Sequence, residues 1–159
     1  MVPKIRRLNH AVLYVTDAQR SSAFYRNVLG FETVQESAGG RAVFLRAGGS
    51  DNHHDLGLFG VGEVSRSRGT GLYHLAWQVD TIDELVEIRR RLVEAKSLMG
   101  ESDHGVSKSL YAHDPDGIEF EVMWMVPESS WGSYATDAVV APLDLTAEQS
   151  RWSGVATRT

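Results

Sequence analysis

The chain has 159 residues, enough for one domain with a substantial core. Its net charge of -5 argues against a nucleic-acid surface or an anionic membrane as partner. Hydrophobic residues make up 42% and charged residues 23%, the balance of a globular protein, and cysteine is absent, which excludes disulfides, thiolate metal sites and cysteine nucleophiles. No apolar run reaches membrane length and the opening MVPKIRR leads into no signal-peptide core, so a cytoplasmic location is expected.

Residues 8–15, LNHAVLYV, read as a strand. Leu8, His10 and Val12 share one face, and Ala11, Leu13 and Val15 the other. Both faces are mostly apolar, so both are expected to be covered. Asp17 is placed to cap a helix running to about Leu29, with Phe24, Tyr25, Val28 and Leu29 as its buried stripe and Gly30 as its stop. FETVQES, RAVFLRA and HHDLGLFGV follow as three short strands, parted by Gly39-Gly40 and by Gly48-Gly49-Ser50-Asp51. Residues 60–70, rich in glycine and serine, read as a linker.

The pattern then restarts. LYHLAWQV (72–79) reads as a strand. Thr81 and Glu84 form a capping box, and Leu85, Ile88, Leu92 and Ala95 follow at helical spacing. Three more strands end in YAHDPDGIEFEVMWM, where Asp114-Pro115-Asp116-Gly117 carries strong turn chemistry. LNHAVLYV aligns with LYHLAWQV without a gap, and His10 falls on His74. The expected fold is therefore α+β: two βαβββ modules, about 8–64 and 70–126, paired about a pseudo-twofold axis, with curved mixed sheets enclosing a cleft. The tail, 127–159, reads as irregular up to a short helix capped by Thr146, with disordered final residues. Trp131 and Trp152 suggest that it packs on the mouth of the cleft or on a second subunit.

Phe120, Val122 and Trp124 share one face of the last strand, and Glu119, Glu121 and Met123 the other. A carboxylate in the middle of such a strand is costly to bury unless it is paired or bound to metal. Taken singly, His10 and His74 have ordinary places in a core, and Glu121 an ordinary partner in an arginine. Two histidines at matched repeat positions plus a strand-centre glutamate point instead to a facial triad. That donor set leaves three positions open on octahedral Fe(II), while manganese, nickel and zinc also suit it.

These residues carry a resemblance. L-x-H opening each module, F-Y-x-x-V-L-G-F from Phe24 to Phe31, and D-P-D-G-x-x-x-E at the end resemble the vicinal oxygen chelate superfamily of glyoxalases, bleomycin resistance proteins and extradiol dioxygenases, over about residues 8–126. The resemblance implies metal ligation by His10, His74 and Glu121. Ile118 departs from it, standing where a polar turn residue, often asparagine, is expected; the spacing to Glu121 is kept. HHDLGLF (53–59) and DHGVSKSLY (103–111) resemble the catechol 2,3-dioxygenase branch. This implies an acid–base histidine at His54, and substrate contacts from His104 and Tyr111.

The implied function is an Fe(II)-dependent extradiol dioxygenase that opens a catechol-type ring with O2, in a homodimer. Only one of His53 and His54 can face inward, and the H-D motif favours His54. Asp55 reads as structural. The alternatives are another metal enzyme of this fold (glyoxalase I, an epimerase or a fosfomycin-resistance-type transferase) and a non-enzymatic binding protein. Glyoxalase I usually has a fourth ligand, a glutamate near the end of the first module; HDLGLFGV has none. Binding proteins of the family typically lack the triad.

Overall fold

The computed structural model describes residues 4–5, 7–37, 39–63 and 70–157. Within the expected linker, positions 64–69 lie outside the described residues, as do parts of the opening segment and the last two residues. The chain divides into two compact units, Met1–Gly69 and Thr70–Thr159.

The first unit runs β1 (Ala11–Val15), α1 (Ala18–Leu29), β2 (Glu32–Glu36), β3 (Ala42–Arg46) and β4 (Leu56–Gly60). Its sheet has the order β1-β4-β3-β2, with β1 parallel to β4 and the other pairs antiparallel. Asp17 caps α1, its carboxylate accepting from the N–H groups of Gln19 and Arg20, and Gly30 ends it in the left-handed region at φ 75°. Tyr25 and Val28 are buried as expected, whereas Phe24 and Leu29 are only half-buried. The small Ala18, Ser21 and Ser22 take the remaining buried positions. Leu13, Val15, Val43, Leu45, Leu56 and Leu58 complete this core.

The first strand begins later than the apolar pattern predicts. Its one neighbour, β4, starts at Leu56 opposite Ala11, so Leu8 to His10 have no strand beside them and precede the sheet. The expectation that both faces of this strand are covered also needs correction. Leu13 and Val15 are buried, but Val12 is 50% and Tyr14 74% exposed, because β1 is an edge strand with α1 layered on one side only.

The second unit repeats the plan: β5 (Leu75–Val79), α2 (Ile82–Glu94), β6 (Leu98–Asp103), β7 (Ser107–His113) and β8 (Glu119–Met125), in the order β5-β8-β7-β6. The Thr81–Glu84 capping box is present. In the β7–β8 turn the Asp114 carboxylate accepts from the N–H groups of Asp116 and Ile118 at 2.9 and 2.8 Å, and Gly117 takes φ 72°. The turn uses the main chain of residue 118, which is why isoleucine is tolerated there. Ile82, Leu85, Leu92, Leu110, Phe120, Val122 and Trp124 form the core. No helix among the described residues is long and apolar enough to cross a membrane.

The tail is more ordered than its composition suggests. Two 3-10 turns, Glu128–Ser130 and Gly132–Ala135, lead to α3 (Leu145–Trp152). Its cap is Asp144, which accepts from the Ala147 N–H, and Thr146 lies inside the helix. Asp83 on α2 accepts from Gln149, Ser153 and the Gly154 N–H, bonds that hold its carboxyl below its usual pKa. Ala156 bridges Thr81, and the Thr157 hydroxyl donates to the Met125 carbonyl at 2.7 Å. Both tail tryptophans bind their own unit: Trp131 donates to the Val126 carbonyl at 2.7 Å, and the Trp152 ring lies 5.9 Å from that of Trp124.

Lys108 holds the tail to the sheet. Only 5% exposed, it pairs with Asp103 and lies 3.7 Å from Glu148 on α3. Lys108→Ala is expected to cost about 3 kcal/mol, since it leaves two carboxylates without their cation. Urea unfolding checks the loss, and hydrogen exchange should rise over 145–152.

Candidate metal centre

In the second unit the strand register assembles the site. Glu121 lies opposite Ala76 of β5 on one side and opposite Tyr111 of β7 on the other. Paired residues share a face of the sheet, and His74, two residues before Ala76, stands at the end of that face. His74 Nε2 is 3.2 Å from Glu121 Oε2, so the carboxylate has a partner although Glu121 is only 8% exposed. His74 Nδ1 is buried without a hydrogen bond; the nearest carboxylate there is Glu119, at 3.9 Å. Glu119 also lies 3.8 Å from His113 Nε2 and bonds the Tyr73 hydroxyl, which holds that phenol above its usual pKa.

Tyr111 sits beside these groups, its ring centroid 5.9 Å from that of His74. Burial, and then the Glu121 charge, push its hydroxyl up, so it keeps its proton at neutral pH. Its oxygen is 2.9 Å from His104 Nε2. His74, Glu121, Tyr111 and His104 thus form one cluster.

In the first unit His10 and His54 come together, with ring centroids 4.6 Å apart. Asp55 makes this possible. Buried, it accepts from the Ala47 N–H at 2.8 Å, from Ser50 Oγ at 2.8 Å and from Asn52 Nδ2 at 2.6 Å, which folds the loop before β4. Asn52 also donates to the Asn9 carbonyl at 2.9 Å and so ties the loop to the residue before His10. His10 Nδ1 is 2.9 Å from Asn9 Oδ1. That contact orients the ring and leaves Nε2 as the nitrogen open to a ligand. Phe44 covers His54 from the other side, at 5.2 Å. His53 is exposed, while His54 is partly covered. Burial, then the neighbouring His10 and His53, hold the His54 pKa below its usual value against the opposing charge of Asp55. His54 is therefore a neutral base at pH 7.

The two units differ at one informative position. In the second unit the row across the sheet reads Ala76, Glu121, Tyr111; in the first it reads Val12, Gly57, Phe44. Gly57 thus stands where a carboxylate corresponding to Glu121 would be. A Cβ there would meet Val12 Cγ2 at 3.3 Å and Phe44 Cε1 at 3.5 Å. The first unit offers no carboxylate ligand at this place.

Among the described residues, no group of three His, Asp or Glu side chains is gathered closely enough to hold a metal ion by itself. The pair that is assembled fits half of such a site. An imidazole nitrogen and a carboxylate oxygen face each other at 3.2 Å, and imidazole–carboxylate sets suit Fe(II), Mn(II), Ni(II) and Zn(II). Asn9, Asn52, Phe44 and Glu119 were not singled out by the sequence. Asn9 beside His10 and the alternate position of Glu119 beside Glu121 were the only signals there. Glu121→Leu is expected to destabilise the metal-free protein, because it removes one partner of a buried pair and leaves His74 without it. It should abolish any rise in melting temperature on adding Fe(II) or Zn(II); thermal melts with and without metal check both.

The Glyoxalase/Bleomycin resistance protein/Dioxygenase superfamily profile matches residues 7–122. The chain is 34% identical to the catechol-2,3-dioxygenase of Bacillus subtilis over 125 residues, covering 78% of this chain but 43% of that protein. It is 32% identical to biphenyl-2,3-diol 1,2-dioxygenase 3 of Rhodococcus globerulus over 149 residues, covering 84% of this chain and 75% of the relative. The chain thus spans less than half the length of the first of these proteins. Among solved structures, lactoylglutathione lyase from Agrobacterium tumefaciens superposes with a TM-score of 0.58 at 25% identity, over 77% of this chain and 96% of that one.

Proposed function

This chain belongs to the glyoxalase/bleomycin resistance protein/dioxygenase superfamily, and we propose that within it the protein is a metal-dependent extradiol dioxygenase opening a catechol-type ring with O2. The observation that carries this reading is the row Ala76, Glu121, Tyr111, with Gly57 at the equivalent place in the first unit. Three protein ligands, His10, His74 and Glu121, leave room for a diol and a gas; a second glutamate would take one of those places. This favours ring cleavage over the reaction of a four-ligand lyase. The metal of this reading is Fe(II). Held by His10, His74 and Glu121, such a cation would lower the pKa of the diol hydroxyls and supply the site at which O2 is activated.

The remaining work falls to side chains of the chain itself. His54, neutral at pH 7, accepts a proton from one diol hydroxyl and returns it as the ring opens. Tyr111, protonated, hydrogen-bonds a substrate oxygen. One ring C–C bond beside the diol breaks, both oxygen atoms enter the product, and no external reductant is consumed.

Anaerobic loading with Fe(II), then catechol and air, should give a yellow ring-opened product with one O2 consumed per catechol. Catechol binding without oxygen uptake would refute ring cleavage. His54→Ala should keep its iron and lose turnover by about a hundred- to ten-thousandfold. Normal turnover in that variant would remove His54 from the proton transfer.

A further inference from the structure

The tail reaches the candidate site at one atom. His104 Nδ1 lies 3.0 Å from the main-chain carbonyl of Val139, in the segment between the second 3-10 turn and α3. The segment is fastened on both sides of that contact. Asp103 and Ala141 exchange two main-chain bonds, at 2.8 and 2.9 Å. Tyr134 lies so close to Gly105 that a Cβ on Gly105 would stand 2.5 Å from its ring, and Gly105 takes φ 74°, a conformation that glycine favours.

A carbonyl oxygen only accepts, so Nδ1 of His104 must carry a proton. In the neutral ring Nε2 is then a bare lone pair, 2.9 Å from the Tyr111 hydroxyl. That hydroxyl must supply the hydrogen between them. Its oxygen then acts only as an acceptor, for the Ser109 hydroxyl and for one further donor.

We infer that the tail is part of the site: the Val139 carbonyl fixes the tautomer of His104, which turns the Tyr111 hydrogen away from substrate and makes Tyr111 a hydrogen-bond acceptor. His104 and the strap 131–141 are positioning elements acting through Tyr111. The inference rests on the dioxygenase reading for the identity of the substrate and adds to it a selectivity. The group that meets Tyr111 is a donor, an un-ionised phenolic hydroxyl. A diol that keeps one proton at this end satisfies it; a doubly ionised diol or an ether does not.

The test has two readouts on the full chain. The first is nitrogen-edited NMR of the imidazole rings at about pH 8, above the usual histidine pKa. Comparison with His104→Gln assigns the signal among the six histidines. A protonated Nδ1 and a bare Nε2 are expected. An Nε2–H tautomer, averaging between tautomers, or a doubly protonated ring overturns the inference. The second is anaerobic binding of catechol and of 2-methoxyphenol to the Fe(II)-loaded protein. Catechol should bind roughly tenfold more weakly after Ala141→Pro, which removes one Asp103 bond, and after Tyr134→Ala, which loosens the strap without entering the core.

On a Tyr111→Phe background both losses should vanish, and so should any preference for catechol over 2-methoxyphenol that remains after metal chelation is subtracted with His104→Gln. Equal losses in the presence and absence of the Tyr111 hydroxyl would make the strap merely structural and overturn the inference. The expected tautomer in a protein that does not bind catechol would leave the strap standing and sink the dioxygenase reading instead.

Discussion

A carboxylate buried in the middle of a strand is the constraint around which the second unit is organised. A carboxylate only 8% exposed is costly to bury without a partner, and the chain supplies Glu121 with one in His74, 3.2 Å away. That requirement fixes the face of the sheet. Phe120, Val122 and Trp124 turn to the helix side, and the polar face opposite collects Tyr111 and Glu119. The register does the rest, since only a parallel pairing of β5 with β8 puts the end of β5 beside the carboxylate. A one-residue slip would bury the glutamate under α2 and expose Val122.

The first unit has the same frame without the same constraint. Its equivalent row carries Val12, Gly57 and Phe44, so nothing charged needs a partner there. The space left by Gly57 is filled by Phe44, which in turn packs against His54. One sheet position thus holds a buried carboxylate in the second unit and, in the first, a glycine beside the Phe44 wall of His54. The lowered pKa of His54 follows directly, because an imidazole between a phenyl ring and two other histidines is poorly placed to hold a positive charge.

Much of this was legible in the sequence because it is written in periodicity and turn chemistry. The capping box at Thr81 and the DPDG turn each have a local cause and are found where the residues put them, whereas both L-x-H motifs precede the strands they were expected to open. The alternation around Glu121 likewise shows directly which face is polar. What was not legible depends on contacts far apart in the chain. Nothing local marks Asn52 as the link to Asn9, or Lys108 as the cation between Asp103 and Glu148. The main-chain carbonyl of Val139 has no signature of its own in any sequence. Thr146 read as a cap because threonine favours that role, but Asp144 stands at the true start of the helix and competes better.

The histidines of both units show how differently one chain can orient the same ring. His10 takes its acceptor from the side chain before it, and His104 from a tail that arrives 35 residues later. In both, the acceptor faces Nδ1, while Nε2 of His104 is taken up by the Tyr111 hydroxyl. His74 is the exception: its Nδ1 has no hydrogen bond, and Glu119 stands just beyond reach at 3.9 Å. Glu119 is also drawn towards His113 and Tyr73, so its position is a compromise among three neighbours. The His74 ring is thus held at one end only, through Nε2. His104, by contrast, is held at both ring nitrogens, by the tail at Nδ1 and by Tyr111 at Nε2.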